Sequence, residues 1–260
     1  MKVLGLVGSP RKEKGLTYAV VSAALEGASA AGAAVQLEFL VDWQVDACTD
    51  CGAPCFTDGI CVLSAPVSKL NELVNGASGL VIGAPVYCWQ LNAITHAFMD
   101  KYRIPGPATL ARRPNGRPSL PIVVAGGTGT GISGAVRSLL DFLCLWGYRS
   151  LEPVAATRYN LDKAVAEARQ KGELLAQAAS HPEPFQSLAD LLAYYDGLAF
   201  SCRDRLAELL WLAETASHLS PTNSAEVKRL CAEAERLRSE DRRLALEHAV
   251  HAFELVRGQL

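Results

Sequence analysis

Five short apolar segments alternate with segments of helical periodicity in the first 180 residues, and this alternation constrains the fold more than any other feature. Strands with so few polar residues are typical of parallel sheets that are covered on both faces. The strand-like segments cover residues 2–7, 34–40, 79–83, 120–125 and 149–157, and the helical ones residues 17–31, 66–75, 92–102, 132–146 and 161–178. The pattern predicts an α/β fold with a doubly wound, five-stranded parallel sheet. Its strand-to-helix loops should lie at one edge, where such sheets bind ligands.

The strand signals stop near Pro182 and Pro184. Beyond them, residues 188–200, 203–219 and 224–260 have helical spacing, and Pro221 lies in the break between the last two segments. We therefore divide the chain into an α/β domain of residues 1–180 and a C-terminal all-helical segment of residues 181–260, called the helical extension below.

The charge balance and the hydropathy pattern exclude several classes of protein. The net charge is −2, whereas proteins that bind the nucleic-acid backbone are usually basic, so we expect no nucleic-acid partner. Hydrophobic residues make up 50% of the chain, which is enough to build a core. No apolar run reaches the roughly 18 residues that span a bilayer, and the segment before Pro10 is too short for a signal peptide. We expect a cytoplasmic protein without a membrane partner.

The first strand is followed by a loop that is suited to bind phosphate. Residues 8–17 lead directly into a helix, whose first N–H groups and partial positive charge attract anions. Glycines at positions 8 and 15 allow close approach of the backbone, Ser9 and Thr17 offer hydroxyls, and Arg11 offers a fork of N–H donors. The loop lacks the Gly-Lys-Ser/Thr ending of nucleotide-hydrolysing P-loops. A polar turn with ordinary helix capping is the alternative.

Two further loops follow predicted strands at the same edge. Residues 83–92 include Tyr87, Trp89 and Gln90, which could flank a planar ring and bond its heteroatoms, or could form a partly buried turn. Cys88 in this loop is a candidate redox thiol or an inert packing residue. Residues 129–134 match G-x-G-x-x-G, so a dinucleotide-binding Rossmann unit is an alternative, although the motif follows the fourth strand and not the first.

Four of the eight cysteines lie within fourteen residues, in a loop that contains Gly and Pro: Cys48, Cys51, Cys55 and Cys61. In a reducing compartment such a cluster indicates metal or redox chemistry more than disulfides. Four thiolates suit either an iron–sulfur cluster or tetrahedral zinc. Structural zinc usually takes two separated C-x2-C pairs, so the continuous run favours the iron–sulfur cluster. Free or disulfide-linked thiols are the alternative.

The phosphate loop resembles that of the NADPH-dependent FMN reductase family, which has a flavodoxin-like fold. The resemblance rests on Gly-Ser-Pro-Arg-Lys at residues 8–12, Gly-Leu-Thr at 15–17 and Pro-Val-Tyr at 85–87, and it covers roughly residues 1–180. It implies that the chain binds FMN. The implied phosphate contacts are Ser9, Arg11, Gly15, Leu16 and Thr17. The implied ring contacts are Pro85, Val86, Tyr87, Trp89, Gln90, Asn92, Gly126, Gly127 and Thr128.

The cysteine run resembles that of the iron–sulfur flavoproteins, a branch of the same family that holds a [4Fe–4S] cluster on the loop after the second strand. The resemblance implies that Cys48, Cys51, Cys55 and Cys61 are the ligands of such a cluster. The branch commonly has two residues between its second and third cysteines, whereas this chain has three, at positions 52–54. This departure keeps zinc as an alternative metal.

These features predict an FMN-dependent oxidoreductase or electron-transfer flavoprotein that couples NAD(P)H or a ferredoxin to an acceptor. The family resemblance also implies a homodimer or homotetramer. Two alternatives stay open: an NAD(P)H-dependent reductase of FMN, quinones or nitro compounds with zinc or an empty cysteine site, and a non-enzymatic redox-sensing interaction protein. The sequence contains no Ser-His-Asp signature and no H-E-x-x-H, so we predict no side-chain catalyst.

Overall fold

The structure is a computed structural model that describes residues 1–52, 54–104, 116–200, 202–219 and 221–257. Its strands are β1 (Lys2–Val7), β2 (Ala34–Phe39), β3 (Gly79–Tyr87), β4 (Gln90–Leu91), β5 (Arg117–Ala125), β6 (Tyr148–Ser150) and β7 (Val154–Thr157). Its α-helices are α1 (Leu16–Ala30), α2 (Cys55–Asp58), α3 (Ala65–Asn75), α4 (Ala93–Lys101), α5 (Ile132–Leu145), α6 (Leu161–Ser180), α7 (Leu188–Gly197), α8 (Arg205–Ala216), α9 (Ser224–Leu237) and α10 (Arg242–Arg257).

The sheet confirms the predicted doubly wound α/β fold. Its parallel strands follow the order β2–β1–β3–β5. The free edge of β5 pairs first with β6 and then, further along, with β7. The order reverses between β1 and β3, so a crevice opens where these two strands end. The two loops that follow β1 and β3 therefore meet at the position where such sheets bind ligands.

The central strands β1, β3 and β5 are buried on both faces, as their apolar composition predicts, whereas the edge strand β2 is exposed or half-buried throughout. Leu4 and Leu6 of β1 contribute to a core that α3, α4 and α5 complete. Val3 and Val7 of the same strand contribute to a second core, formed with α1 and α6. Because successive side chains of a strand point to opposite faces, a strand between two such cores must be apolar throughout.

Two predicted strands differ from their bounds at prolines. Since proline interrupts the hydrogen bonds of a strand, Pro85 predicts that the segment at residues 79–83 ends there, yet β3 continues to Tyr87. The pairing of β1 with β3 ends at Gly83, and Pro85, two residues later, faces the same side of the strand. No strand is left there to accept a bond from its nitrogen, so the missing N–H of Pro85 removes no bond of the ladder. The predicted strand 149–157 is two strands, since residues 151–153 leave the ladder and Pro153 cannot donate to it.

Four prolines and two glycines in residues 103–119 predict an exposed loop, but β5 begins within that range at Arg117. The guanidinium of Arg117 is buried and donates to the carbonyls of Val74 and Ala77 at 2.9 and 2.8 Å, near the end of α3. It also donates to the hydroxyl of Tyr148. These bonds fix the start of the strand, and residues 105–115 of the predicted loop lie outside the described residues.

The helical extension consists of two packed parts. The hydroxyls of Tyr194 and Tyr195 on α7 donate to the carbonyls of Ser150 and Tyr148 at 2.5 and 2.7 Å, which fixes α7 against β6. Helices α8, α9 and α10 form a third core that also includes Tyr159 from the loop after β7. The single helix that we predicted over residues 224–260 is wrong within the described range, because it ends at Leu237 and a new helix starts at Arg242.

Asp241 causes this break, since its side chain accepts a hydrogen bond from the N–H of Leu244 at 3.0 Å and so starts α10. Residues 258–260 lie outside the described part of the chain. None of the helices within the described ranges has the length and apolar character that a membrane span requires.

Candidate functional site

The first loop lies at the carboxyl end of β1 and leads through a short 3-10 helix into α1. Ser9 is buried, and its Oγ accepts a hydrogen bond from the N–H of Arg11 at 3.3 Å. A Cβ added at Gly15 would lie 2.8 Å from that Oγ, so glycine is required there by close approach. Thr17 is buried in the first turn of α1, and no side chain caps the start of this helix. Arg11 is exposed and forms no ion pair with any described residue.

Asn92 ties the first loop to the second. Its Nδ2 donates to the carbonyl of Gly8 at 2.7 Å, and its Oδ1 accepts from the hydroxyl of Thr95 at 2.6 Å. A Cβ at Gly8 would lie 2.1 Å from that hydroxyl oxygen, so the two loops are in close contact. Asn92 was predicted as a ring contact, and in this structure its amide is engaged in holding the two loops together.

The second loop presents two aromatic side chains on a strained turn. Tyr87 and Gln90 pair across the hairpin of β3 and β4, so Cys88 and Trp89 form its turn. Both turn residues have positive φ angles, 50° and 63°, a conformation that costs roughly 1–2 kcal/mol for each non-glycine residue. Tyr87 and Trp89 remain 46% and 52% exposed. The packing around the turn must offset this strain, and the result is a rigid aromatic surface at the mouth of the crevice.

The third loop follows β5 and contacts both of the others. A Cβ at Gly126 would lie 3.4 Å from Leu16, which connects this loop to the start of α1. Gly131 has a φ of 95°, and a Cβ there would lie 2.6 Å from the Cα of Trp89. The glycines of the G-x-G-x-x-G match thus make room for neighbouring parts of the same chain. Three exposed residues form the rim of the loop: Gly126, Gly127 and Thr128.

The helical extension supplies two residues to this site that the sequence did not reveal. Glu208 of α8 is only 5% exposed, and its two carboxylate oxygens accept hydrogen bonds from the N–H groups of Gly131 and Ser133, each at 2.6 Å. Its carboxylate therefore caps the start of α5 from a different part of the chain. Arg205 lies one turn earlier on α8, with its guanidinium carbon 4.3 Å from the centre of the Trp89 ring.

The four clustered cysteines line one cavity of about 260 Å³. Cys48 and Cys51 are exposed, Cys55 and Cys61 are half-buried, and all four are free thiols. Cys55 opens the short helix α2, which the sequence predicted as loop, and the N–H of Cys61 donates to Ser68 at 2.9 Å. Within the described residues, no three His, Cys, Asp or Glu side chains lie close enough together to hold a metal ion. The thiols therefore share a cavity without forming a closed ligand set.

Two cations and an apolar rim surround the thiols. Lys101, at the end of α4, and Arg103 line the same cavity, and the Arg103 guanidinium lies 4.2 Å from the centre of the Phe56 ring. Lys101 is 8% exposed. These charges can offset the negative charge of an all-thiolate ligand set. The rim of the loop consists of exposed apolar side chains: Phe56, Ile60, Val62 and Leu63.

Two other thiols lie inside the helical extension and differ from the clustered ones. Burial and the nearby carboxylate of Glu208 raise the pKa of Cys202 far above its usual value. Burial, with Glu214 and Glu235 nearby, raises the pKa of Cys231 to about 11. Both thiols therefore favour the protonated form at neutral pH, in which a thiol is a weak nucleophile.

Comparison with known proteins agrees with this geometry. Residues 1–160 match the family described as NADPH-dependent FMN reductase. The chain is 28% identical over 151 residues to an iron–sulfur flavoprotein of Methanosarcina thermophila, covering 56% of this chain and 75% of that protein. It is 32% identical over 103 residues to an iron–sulfur flavoprotein of Methanocaldococcus jannaschii, and this match covers 40% of this chain and about half (52%) of the relative.

A solved structure shows the same fold at low sequence identity. The NAD(P)H:quinone oxidoreductase from Methanothermobacter marburgensis superposes with a TM-score of 0.55 and 20% identity, covering 67% of this chain and 98% of that one. The family match covers residues 1–160 of the 260, more than half of the chain. The predicted resemblance is therefore confirmed, and we conclude that this chain belongs to the NADPH-dependent FMN reductase family, whose members are flavin oxidoreductases.

Proposed function

We propose that this protein is an FMN-dependent oxidoreductase that carries an iron–sulfur cluster on residues 48–61 and couples NAD(P)H or a ferredoxin to an acceptor. The observation that carries the proposal is the arrangement of the two sites about α4. Asn92 precedes α4 and binds the first loop, whereas Lys101 ends it and lines the thiol cavity. A helix of this length measures about 14 Å. One rigid element thus joins the three-loop crevice to the cysteines.

The residues of the crevice fit FMN. A phosphate needs N–H donors and positive charge, and the uncapped start of α1 and the unpaired guanidinium of Arg11 supply both. Ser9, Gly15, Leu16 and Thr17 complete this end of the proposed site. At the other end the proposed ring contacts are Pro85, Val86, Tyr87, Trp89, Gln90, Gly126, Gly127 and Thr128, with Asn92 positioning the loops.

FMN, when bound, would supply transfer of electrons in pairs or singly between a reduced nicotinamide and an acceptor. In this scheme the chain's own residues bind the cofactor and orient its ring. Ser9 and Arg11 hold the phosphate end, so the ring occupies one position along the crevice. Tyr87 and Trp89 cover a planar ring and exclude water from it. The contacts of Gly131 with Trp89 keep this aromatic cover close to the third loop.

The cysteine cavity fits an iron–sulfur cluster by the chemistry of its donors. Four thiols line it together with the carboxylate of Asp50, and ligation by four thiolates is typical of such clusters. The cluster would supply one-electron transfer. Lys101 and Arg103 would stabilise the anionic centre, and Phe56 and Leu63 would limit its contact with water. An oligomer, a dimer or a tetramer, is part of the same proposal.

A second function is favoured by one observation on the same loop. The thiols do not form a ready ligand set in the described residues, and three residues separate Cys51 from Cys55. This spacing suits an altered site that holds zinc or no metal. The protein would then be an NAD(P)H-dependent reductase of FMN, quinones or nitro compounds, with the crevice unchanged.

Metal, sulfide and flavin analysis of protein purified without oxygen separates the two functions. We expect bound FMN together with about four iron and four sulfide per chain, as for a [4Fe–4S] cluster. Cys61→Ser should lose the iron, whereas Cys88→Ser, an exposed cysteine outside the cavity, should retain it. Zinc with FMN alone would favour the second function. Colourless protein that cannot be loaded with FMN would refute both.

A further inference from the structure

The helical extension holds a guanidinium over a half-exposed aromatic ring of the second loop. The guanidinium carbon of Arg205 lies 4.3 Å from the centre of the Trp89 ring, and both side chains are exposed. A guanidinium is planar and carries its five N–H donors at its edge. They are therefore free to bind an anion while the planar group remains on the ring.

Arg205 differs from most arginines of the helical extension in its lack of an acidic partner. Arg229, Arg236 and Arg243 each pair with a glutamate three or four positions away on the same helix. Among the described residues, Arg205 forms no ion pair and no side-chain hydrogen bond, and its one interaction is with Trp89. Its N–H donors thus have no partner within the described part of the chain.

The surface under Arg205 is rigid. Trp89 sits on a turn with two strained residues, and the backbone of Gly131 packs directly against it. Glu208, one turn after Arg205 on α8, is hydrogen-bonded to Gly131 and Ser133. Because Arg205 and Glu208 share a helix, the bonds of Glu208 also fix the backbone of Arg205 relative to the turn that carries Trp89. The helix and the turn thus keep the two side chains within reach of each other.

We propose that Arg205 and Trp89 form an acceptor-binding site that selects planar conjugated substrates bearing an anionic group. The conjugated system packs on the part of the Trp89 ring that the guanidinium leaves uncovered, and the edge of the Arg205 guanidinium binds a carboxylate, sulfonate or phosphate attached to it. The inference rests on the proposed flavin function, because it identifies the substrate class of that same crevice. It assigns the helical extension a role in substrate choice.

Equilibrium titration of the FMN-loaded protein with two matched quinones tests the proposal. The probes are 1,4-naphthoquinone-2-sulfonate and 2-methyl-1,4-naphthoquinone, which differ in the anionic group, and binding is measured by calorimetry without a reductant. We expect the native protein to bind the sulfonate about tenfold more tightly. Arg205→Gln should abolish this preference and Arg205→Lys should retain part of it. Arg243→Gln, at a side chain that is 91% exposed, is the matched control and should keep it.

The proposal is overturned if Arg205→Gln keeps the full preference for the sulfonate, or if Arg243→Gln loses it equally. In turnover, Arg205→Gln should raise the ratio of KM values for the sulfonate and the neutral quinone about tenfold. A change instead in the ratio of KM values for NADPH and NADH would assign Arg205 to the donor and refute the acceptor site. If the chain does not bind FMN, the proposed function fails, yet the titration still tests Arg205 on the flavin-free protein.

Discussion

The hydrogen bonds of Glu208 make a quantitative prediction about the link between the helical extension and the third loop. Glu208→Ala removes the acceptors of the N–H groups of Gly131 and Ser133, which each donate at 2.6 Å. Glu208 is 5% exposed, so water has little access to the two groups that lose their partner. A buried donor without an acceptor carries its full desolvation cost.

The magnitude follows from two hydrogen bonds to a charged acceptor. Each contributes about 1.5–3 kcal/mol to stability, so we expect Glu208→Ala to lower the free energy of unfolding by about 3 kcal/mol or more. For a chain of this size that corresponds to a decrease in Tm of about 6–12 °C. Glu208→Gln keeps the side-chain volume and one acceptor oxygen, so we expect about half of the loss.

Urea unfolding followed by circular dichroism measures this loss, and FMN titration measures its effect on the site. The matched control is Glu254→Ala on α10, because Glu254 is exposed and forms no hydrogen bond or ion pair with the described residues. We expect weaker FMN binding for Glu208→Ala, since the third loop loses its fixed position, and no change for the control. If Glu208→Ala were as stable as Glu254→Ala to within about 1 kcal/mol, the reasoning from burial and hydrogen bonding would be wrong.

Three further predictions concern other parts of the molecule. Although partial burial opposes it, the N–H of Ala207 and the guanidinium of Arg242 hold the pKa of Asp204 below its usual value. The ionised carboxylate should therefore stabilise the fold above about pH 4, and this stabilisation should be lost as the pH falls further. In urea unfolding, the midpoint of Asp204→Asn should fall less between neutral and acidic pH than that of the native protein. Iodoacetamide should label the exposed Cys48 in the metal-free native chain and reach Cys231, whose pKa is raised to about 11, only after unfolding; equal labelling by mass spectrometry would contradict the structure. Gly131→Ala should lower the free energy of unfolding by at least about 1–2 kcal/mol, because the φ of this residue is 95° and the new Cβ would lie 2.6 Å from the Cα of Trp89. If both urea unfolding and FMN affinity stayed unchanged, this clash would be excluded.

The sequence predicted the sheet and its main helices because their signals are local. The run at residues 2–7 is apolar throughout, and it forms β1 with the predicted bounds. The prolines were less informative, since the effect of Pro85 depends on whether the neighbouring strand is still present at that position. That fact belongs to the register of β1 and β3, and no local pattern encodes it.

The candidate site was predictable in its loops and not in the contacts that fix them. Glycine spacing and hydroxyl residues identified the loop at residues 8–17, the aromatic residues and the G-x-G-x-x-G match identified the other two, and family resemblance supplied the implied FMN contacts. Glu208 lies 77 positions from Gly131, and an acidic residue on an amphipathic helix gives no sign that it is buried. The positive φ of Trp89 was equally hidden, since its strain is tolerated only because distant residues pack against the turn.

The contacts of α8 imply that the helical extension and the crevice are one functional unit. If the helical extension were only an appended module, its contacts with the α/β domain would be apolar and lie away from the ligand edge. Instead, a buried carboxylate binds the third loop, and a guanidinium without an acidic partner among the described residues lies on the second. A buried carboxylate without its hydrogen-bond donors is strongly unfavourable. The packing of α8 is therefore most stable when the third loop has the conformation that presents its N–H groups to Glu208. The same bonds must stabilise that shape in the loops, and the chain therefore gains a pre-organised crevice from residues beyond its α/β domain.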